Sequence, residues 1–182
     1  MQKDPLPTRQ FKADRNGNRA RNDLITDVSF LDYTDLDLLS IKNATTNYLL
    51  IQNRNELYRN IWAMFSNTQI VEAYKISPFK FSSFIMEVDK YYSRMNNPFH
   101  NFQHGVTVMS TAYNIFKISN LNKYFSQTGV TSLLFAGLMH DIEHTGRNNM
   151  FEINRSGKLA VRYNDDSVLE NHHSARAFQI IS

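Results

Sequence analysis

Apolar side chains recur at intervals of three and four along most of the chain, the period of a helix that buries one face. The pattern predicts helices that begin after Asn53 and after Ser77, both of which are good N-cap residues. Two more helices are predicted over 101–118 and 130–142, the second apolar nearly all round and therefore buried. A last helix begins near Ser167. The sequence shows no alternating strand pattern, so we expect an all-α fold, a multi-helical bundle.

The N-terminal stretch over 1–23 differs in composition from the rest of the chain. It is rich in Pro, Asn, Lys and Arg and poor in large apolar side chains, which predicts a flexible basic arm ahead of a domain over 24–182. The net charge of +3 is mild, and basic residues elsewhere alternate with acids, so we expect no nucleic-acid partner. Without cysteines, a signal peptide or an apolar run long enough to span a membrane, the expected location is cytoplasmic.

The C-terminal end, over 166–182, stops without a Gly or Pro terminator soon after Phe178 and Ile181. A helix with such an apolar face normally packs against another element. We therefore expect the bundle to be incomplete at its C-terminus, with a further C-terminal portion or regulatory domains in the same protein.

All six histidines lie in three short polar islands, over 100–104, 140–144 and 170–173. In the second island a histidine is followed directly by an aspartate (an HD pair) at the end of an apolar helix, where both groups are costly to bury. Metal coordination offsets that cost, and imidazole with carboxylate suits zinc, manganese, iron or magnesium better than calcium. For this island alone, a hydrogen-bonded His–Asp pair at a helix end is the better interpretation.

The first island strengthens the metal interpretation. His100 and His104 share a helix face if the helix starts by His100, and His140 and His144 do so if their helix continues. A histidine pair followed by a separate HD pair is the arrangement of HD-type metal-dependent phosphohydrolases. There a metal pair polarises phosphoryl oxygens, and a histidine that is not a ligand protonates the leaving group.

The third island has a structural interpretation as well. Ser167 and Glu170 have the spacing of a capping box, in which each side chain bonds to the other's backbone N–H. Capping explains these two residues but not the Asn-His-His run over 171–173.

Three motifs together resemble a known family. The stretches over 97–104, 140–149 and 163–173 are similar, in order and approximate spacing, to those of the class I 3′,5′-cyclic nucleotide phosphodiesterases. The resemblance covers about 24–182, which it identifies as the N-terminal portion of a catalytic domain of the HD type. It implies hydrolysis of cyclic AMP, cyclic GMP or both to 5′-monophosphates, in cyclic nucleotide signalling.

The resemblance also implies roles for single residues. His104, His140 and Asp141 match ligands of a zinc ion, and Asp141 matches the bridge to a second metal, magnesium or manganese, with the attacking hydroxide held between the two. His100 matches the general acid that protonates O3′, and Glu170 the carboxylate that orients His100.

Four further residues match positions around these groups. They line the phosphate and second-metal side of the pocket or support it from behind, and they are His144, Asn149, Asn101 and His173.

Two departures from the family pattern accompany the match. Phe99 stands where the family commonly has Tyr, and a fourth zinc ligand and a base-binding Gln have no counterpart before Ser182. We therefore expect this chain alone to show little or no activity. The alternatives are a different HD-type metal phosphohydrolase and a non-catalytic remnant of a phosphodiesterase.

Overall fold

The computed structural model describes residues 53–182, and every regular element within them is helical. In chain order these are α1 (Arg54–Asn67), α2 (Ile70–Ala73), α3 (Pro78–Ser93), α4 (Phe102–Ile118), α5 (Gln127–Met139), α6 (Asn149–Asn154), α7 (Lys158–Arg162) and α8 (Val168–Ile181), with a 3₁₀ turn at Leu121–Lys123. The all-α prediction is confirmed. The predicted arm over 1–23 and the start of the domain at residue 24 lie outside the described residues and stay predictions.

Side-chain caps fix where the long helices begin. The Asn53 side-chain oxygen Oδ1 accepts from the Asn55 N–H at 3.0 Å, and the Ser77 hydroxyl accepts from the Lys80 N–H at 3.2 Å, as both sequence signals predicted. Pro78 follows Ser77 at the first helical position, where its missing N–H costs no hydrogen bond. These two caps set the start of α1 and of α3, and hence which faces of the two helices turn inward.

The core is formed by the apolar stripes of α1, α3, α4 and α5. Phe65 and Phe135 stack with their ring centroids 5.2 Å apart, and Phe81 meets Phe65 edge-on at 5.8 Å. α4 and α5 approach each other closely at Gly137, where a Cβ would lie 2.9 Å from the Met109 backbone. This close crossing brings the N-terminus of α4 beside the C-terminus of α5, the two helix ends that carry the first two histidine islands.

The expectation that α5 is buried all round is wrong. Leu134 and Leu138 are fully buried, but Phe135, which also stacks on Phe65, lines an open groove together with Phe178 and Ile181 of α8. Of these, the Phe178 side chain is 71% exposed. Among the described residues α5 therefore has one apolar face against the core and another along this groove.

Within residues 53–182, none of the helices combines the length and the apolar character that crossing a bilayer requires.

Candidate active site

Two asparagines shape the first histidine island. The Asn97 side-chain oxygen accepts from the backbone N–H groups of Phe99 and His100, both at 3.1 Å, and so folds the turn before α4. The Asn101 side-chain oxygen caps α4 by accepting from the His104 N–H at 3.1 Å. α4 starts at Phe102, so His100 lies on the preceding turn and His104 in the first helical turn. The two histidine rings meet edge-on, with their centroids 5.7 Å apart.

The second island lies just beyond the C-terminus of α5. The helix ends at Met139, so the condition under which His140 and His144 would share a helix face is not met, and His144 lies on the turn that follows. His140 Nδ1 lies 3.0 Å from the Gly137 carbonyl oxygen. A carbonyl can only accept, so Nδ1 carries a proton, and Nε2 faces Asp141, to which it donates a hydrogen bond when the ring is protonated.

Tyr92 of α3 binds the C-terminal end of α5 through two hydrogen bonds. Its hydroxyl donates to the Leu138 carbonyl at 2.9 Å and accepts from the Asp141 N–H at 3.3 Å. Burial raises the pKa of Tyr92, so the hydroxyl remains a donor at neutral pH. Tyr92 is also a buried core residue, and its hydrogen-bond partner Leu138 lies 46 residues away, where the periodicity of the sequence does not reveal it.

The Asp141 carboxylate is the centre of the site. Its Oδ2 lies 3.2 Å from His104 Nε2 and 3.1 Å from His140 Nε2, and its Oδ1 lies 3.8 Å from His173 Nε2. One donor atom each from His104, His140 and Asp141 fall within 4.8 Å of one another. Two imidazole nitrogens and a carboxylate oxygen at this spacing fit a zinc-type ion. The structure thus brings together the three residues that the sequence predicted as metal ligands.

A second group of donors shares the same aspartate. Donor atoms of Asp141, His144 and His173 also lie within 4.8 Å of one another. His173 Nδ1 is 2.7 Å from the Ile142 carbonyl oxygen, so it carries the proton and leaves Nε2 free to act as a ligand. His144 is different, because its Nδ1 accepts from the Gly146 N–H at 2.9 Å and the proton then lies on Nε2. In this tautomer His144 is a hydrogen-bond donor toward the site.

The charges of the cluster follow from burial and proximity. Burial alone would raise the pKa of the Asp141 carboxyl, but the hydrogen bond from His140 and the charges of nearby histidines lower it to about 2. The hydrogen bond to Asp141 raises the pKa of His140. Burial, followed by the charge of neighbouring groups, lowers the pKa of His144 to about 4, and burial also lowers the pKa of His104 and His173. Neutral imidazoles beside an ionised carboxylate are the state that binds a metal.

The third island enters the site at the N-terminus of α8. The predicted capping box is wrong: Ser167 adopts a left-handed conformation with φ of 44° and makes no side-chain cap. Asn149 of α6 supplies the cap instead, since its side-chain oxygen accepts from the Leu169 N–H at 2.9 Å. The amide nitrogen of Asn149 donates to Glu170 Oε2, also at 2.9 Å. Glu170 is therefore held by Asn149, and its predicted action on His100 stays a prediction.

An apolar groove of about 680 Å³ opens beside the histidine cluster. Phe135 and Met139 of α5 and Ala177 of α8 form its walls, and His140 and Glu170 lie along its edge. The cluster is thus bordered by an apolar surface large enough for a nucleobase-sized group.

Comparison with known proteins agrees with this geometry. Residues 99–182 match the family described as 3′5′-cyclic nucleotide phosphodiesterase. The human high affinity cGMP-specific 3′,5′-cyclic phosphodiesterase 9A is 40% identical over 128 residues, which are 70% of this chain and 21% of that protein. The Dictyostelium discoideum 3′,5′-cyclic-nucleotide phosphodiesterase regA is 41% identical over 118 residues, 65% of this chain and 15% of that one.

The fold leads to the same family. The crystal structure of the phosphodiesterase domain of Salpingoeca rosetta rhodopsin phosphodiesterase superposes with a TM-score of 0.73 and 31% identity, covering 87% of this chain and 45% of that one. The chain thus spans between 15% and 21% of these two curated relatives and under half of the solved domain. Over residues 99–182 the chain is thus similar to the 3′,5′-cyclic nucleotide phosphodiesterase family, as its three motifs predicted.

Proposed function

We propose that the protein containing this chain hydrolyses 3′,5′-cyclic nucleotides to 5′-monophosphates at the Asp141 cluster, with two divalent metal ions as cofactors. The observation that carries the proposal is the placement of one carboxylate between two donor groups. Asp141 Oδ2 faces His104 and His140, while Oδ1 faces His173. The family match over 99–182 supports the same reaction.

The residues divide between the two metals by their chemistry. His104, His140 and Asp141 would hold zinc, a metal that prefers imidazole and carboxylate donors in a compact group. Asp141 and the adjacent His173 would face magnesium or manganese. When bound, such a pair polarises phosphoryl oxygens and makes a nucleophile available near neutral pH.

The side chains around the metals would handle the protons. Water adds to phosphorus, the bond from phosphorus to O3′ breaks, and O3′ leaves with a proton. His100 would supply that proton, since it lies on the turn beside the cluster and belongs to neither donor group. His144 would donate a hydrogen bond from its Nε2–H to a phosphoryl oxygen, and Asn149 would keep Glu170 at the edge of the pocket.

Both cyclic AMP and cyclic GMP are proposed substrates. The human relative is named for cyclic GMP, and a Drosophila melanogaster relative, 32% identical over 160 residues, for cyclic AMP. The apolar groove that reaches His140 would receive the base of either nucleotide. The protein would act in the cytoplasm.

The test uses this 182-residue chain and the full-length product of its gene. Each is titrated with Zn²⁺, then incubated with cyclic AMP or cyclic GMP in the presence of Mg²⁺ or Mn²⁺, and 5′-monophosphate is measured. The full-length product should form nucleotide only with metal, and Asp141→Asn should abolish both binding and turnover. Glu87→Gln, at a surface carboxylate paired with Lys90, is the matched control.

The outcomes separate the proposal from its alternatives. Stoichiometric metal without nucleotide turnover by the full-length product would point to a different HD-type phosphohydrolase, and no bound metal to a non-catalytic remnant. We still expect the 182-residue chain alone to hydrolyse cyclic nucleotides slowly or not at all. The comparison of its rate with that of the full-length product tests this expectation.

A further inference from the structure

Glu143 lies inside the metal-ligand turn, between Asp141 and His144, in a strained backbone conformation. Its φ is 60°, in the left-handed region that non-glycine residues avoid. A residue held there needs compensating interactions from its surroundings. The Glu143 side chain is 13% exposed, so those interactions have to come from protein groups.

Three donors from two other elements surround the Glu143 carboxylate. Arg94, at the C-terminus of α3, donates to Oε1 at 2.7 Å. Arg176 of α8 donates to Oε2 at 2.7 Å, and His172 Nε2 of the same helix lies 3.0 Å from that oxygen. Both carboxylate oxygens are thus engaged by cationic or imidazole groups, so Glu143 is not itself available as a metal ligand.

An aromatic ring braces the two arginines. The guanidinium carbon of Arg94 lies 3.8 Å from the centroid of the Tyr91 ring, and that of Arg176 lies 4.8 Å from it. Stacking on one ring keeps two like charges close together in a fixed orientation. We call the four residues around Glu143, which are Arg94, Arg176, His172 and Tyr91, the arginine clamp.

Helix α8 also contacts Ile142, the residue before Glu143. His173 Nδ1 donates to the Ile142 carbonyl at 2.7 Å, and the next side chain along the turn, Glu143, is bound by His172 and Arg176. Side chains of α8 therefore bind both Ile142 and Glu143, the two residues between Asp141 and His144.

We propose that Glu143 is a positioning residue of the metal centre: held by the arginine clamp, it fixes the turn so that Asp141 faces His104 and His140. The inference rests on the proposed metal site. The carboxylate is needed as such, because an amide accepts through one oxygen only and would turn its NH₂ toward an arginine or histidine donor. Loss of the clamp frees the turn to leave the left-handed conformation and moves the shared ligand.

The experiment compares Glu143→Gln with Glu152→Gln in the 182-residue chain. Glu152 is a matched control, because its carboxylate is 1% exposed and is paired with Arg155 at 2.8 Å, and it belongs to neither donor group of the metal cluster. Zn²⁺ affinity is measured by calorimetry, the visible spectrum of bound Co²⁺ reports ligand geometry, and urea unfolding of the metal-free chain reports stability. Zn²⁺ affinity and the Co²⁺ spectrum distinguish a residue that positions the metal ligands from one that only stabilises the fold, whereas urea unfolding does not.

We expect both variants to lose stability, and only Glu143→Gln to lose Zn²⁺ affinity, by about tenfold or more, with an altered Co²⁺ spectrum. If Glu143→Gln does not fold, Arg176→Gln is tested instead. It removes the Arg176 contact to Glu143 but leaves the Arg94–Glu143 ion pair, and we expect a smaller loss of Zn²⁺ affinity with the same kind of change in the Co²⁺ spectrum.

Unchanged affinity in the Glu143 variant, or an equal loss in the Glu152 control, would overturn the inference while leaving the metal site in place. A wild-type chain that binds no Zn²⁺ would overturn both.

Discussion

The imidazole rings of His100 and His144 lie face to face, with centroids 3.9 Å apart and planes inclined by 11°. Two rings in this position repel if both are protonated. Burial and the charge of His100 lower the pKa of His144 to about 4, so His144 is the neutral partner at physiological pH. In this pair His144 is therefore a neutral hydrogen-bond donor through Nε2.

Replacing His100 by Asn should separate proton donation from metal binding. We expect turnover by the full-length gene product to fall by about 10²–10⁴-fold, because the leaving oxygen loses its proton donor. Zn²⁺ affinity should not change, since His100 belongs to neither donor group. His104→Asn is the comparison and should lose Zn²⁺. Equal loss of affinity in both variants would contradict the division of roles.

Acid should destabilise the metal-free chain in two steps. The pKa values of His104, His144, His172 and His173 are lowered in the folded state, so the unfolded chain takes up protons first as the pH falls below about 6.5. This contribution is lost as the pH falls below about 6.5, for His144 down to about pH 4, and that of Asp141 is lost between about pH 4 and about pH 2.

His140 acts in the opposite direction, because its raised pKa stabilises the fold below the unfolded value and loses that effect as the pH rises. The four lowered histidines should outweigh it. Urea midpoints measured in a chelator from about pH 7.5 to about pH 4 check the sign, and His144→Asn should flatten the curve. A midpoint that rises on acidification would contradict the prediction.

Gly105→Ala should destabilise the fold although alanine favours helices. A Cβ at Gly105 would lie 2.5 Å from the Leu138 carbonyl oxygen and 3.0 Å from the Tyr92 hydroxyl, so α4 and α5 must separate, at a cost of about 1–3 kcal/mol. Gly129→Ala is the control, since its nearest contact is 3.3 Å away on the Phe125 ring. We expect the control to be neutral or slightly stabilising in urea unfolding. The prediction fails if both variants unfold at the same midpoint.

Asn149→Ala should cost about 0.5–2 kcal/mol of stability, because the Leu169 N–H at the start of α8 loses its cap. Asn149→Asp keeps an acceptor for that N–H and should lose less, although it faces Glu170 with a second negative charge. Thermal unfolding of the three proteins should rank wild type first, Asp second and Ala third. An alanine variant as stable as the wild type would show that Asn149 does not cap α8.

The long helices could be predicted because their signals are local. Asn53 and Ser77 cap helices within three residues of themselves, and the period of three and four marks the buried faces. α2, α6 and α7 are four to six residues long, too short for a period to show, and the sequence did not predict them.

The site was predictable in its residues and less so in its contacts. His104, His140 and Asp141 come together as the motifs implied. The cap of α8 comes from Asn149, twenty residues before Leu169, and Arg176 reaches Glu143 across 33 residues. Such long-range partners have no local signature, so Ser167 was the natural but wrong choice for the cap.

Because Asp141 belongs to both donor groups, cations bound at the two proposed positions would be thermodynamically linked. A first cation fixes the orientation of the carboxylate and withdraws part of its charge, which changes the free energy gained by the second. Linkage requires the second cation to affect the first by the same factor, whichever enters first. The fraction of protein with both positions filled would then depend on the concentrations of both ions. If binding of one ion favours the other, removal of either ion would weaken binding of the one that remains.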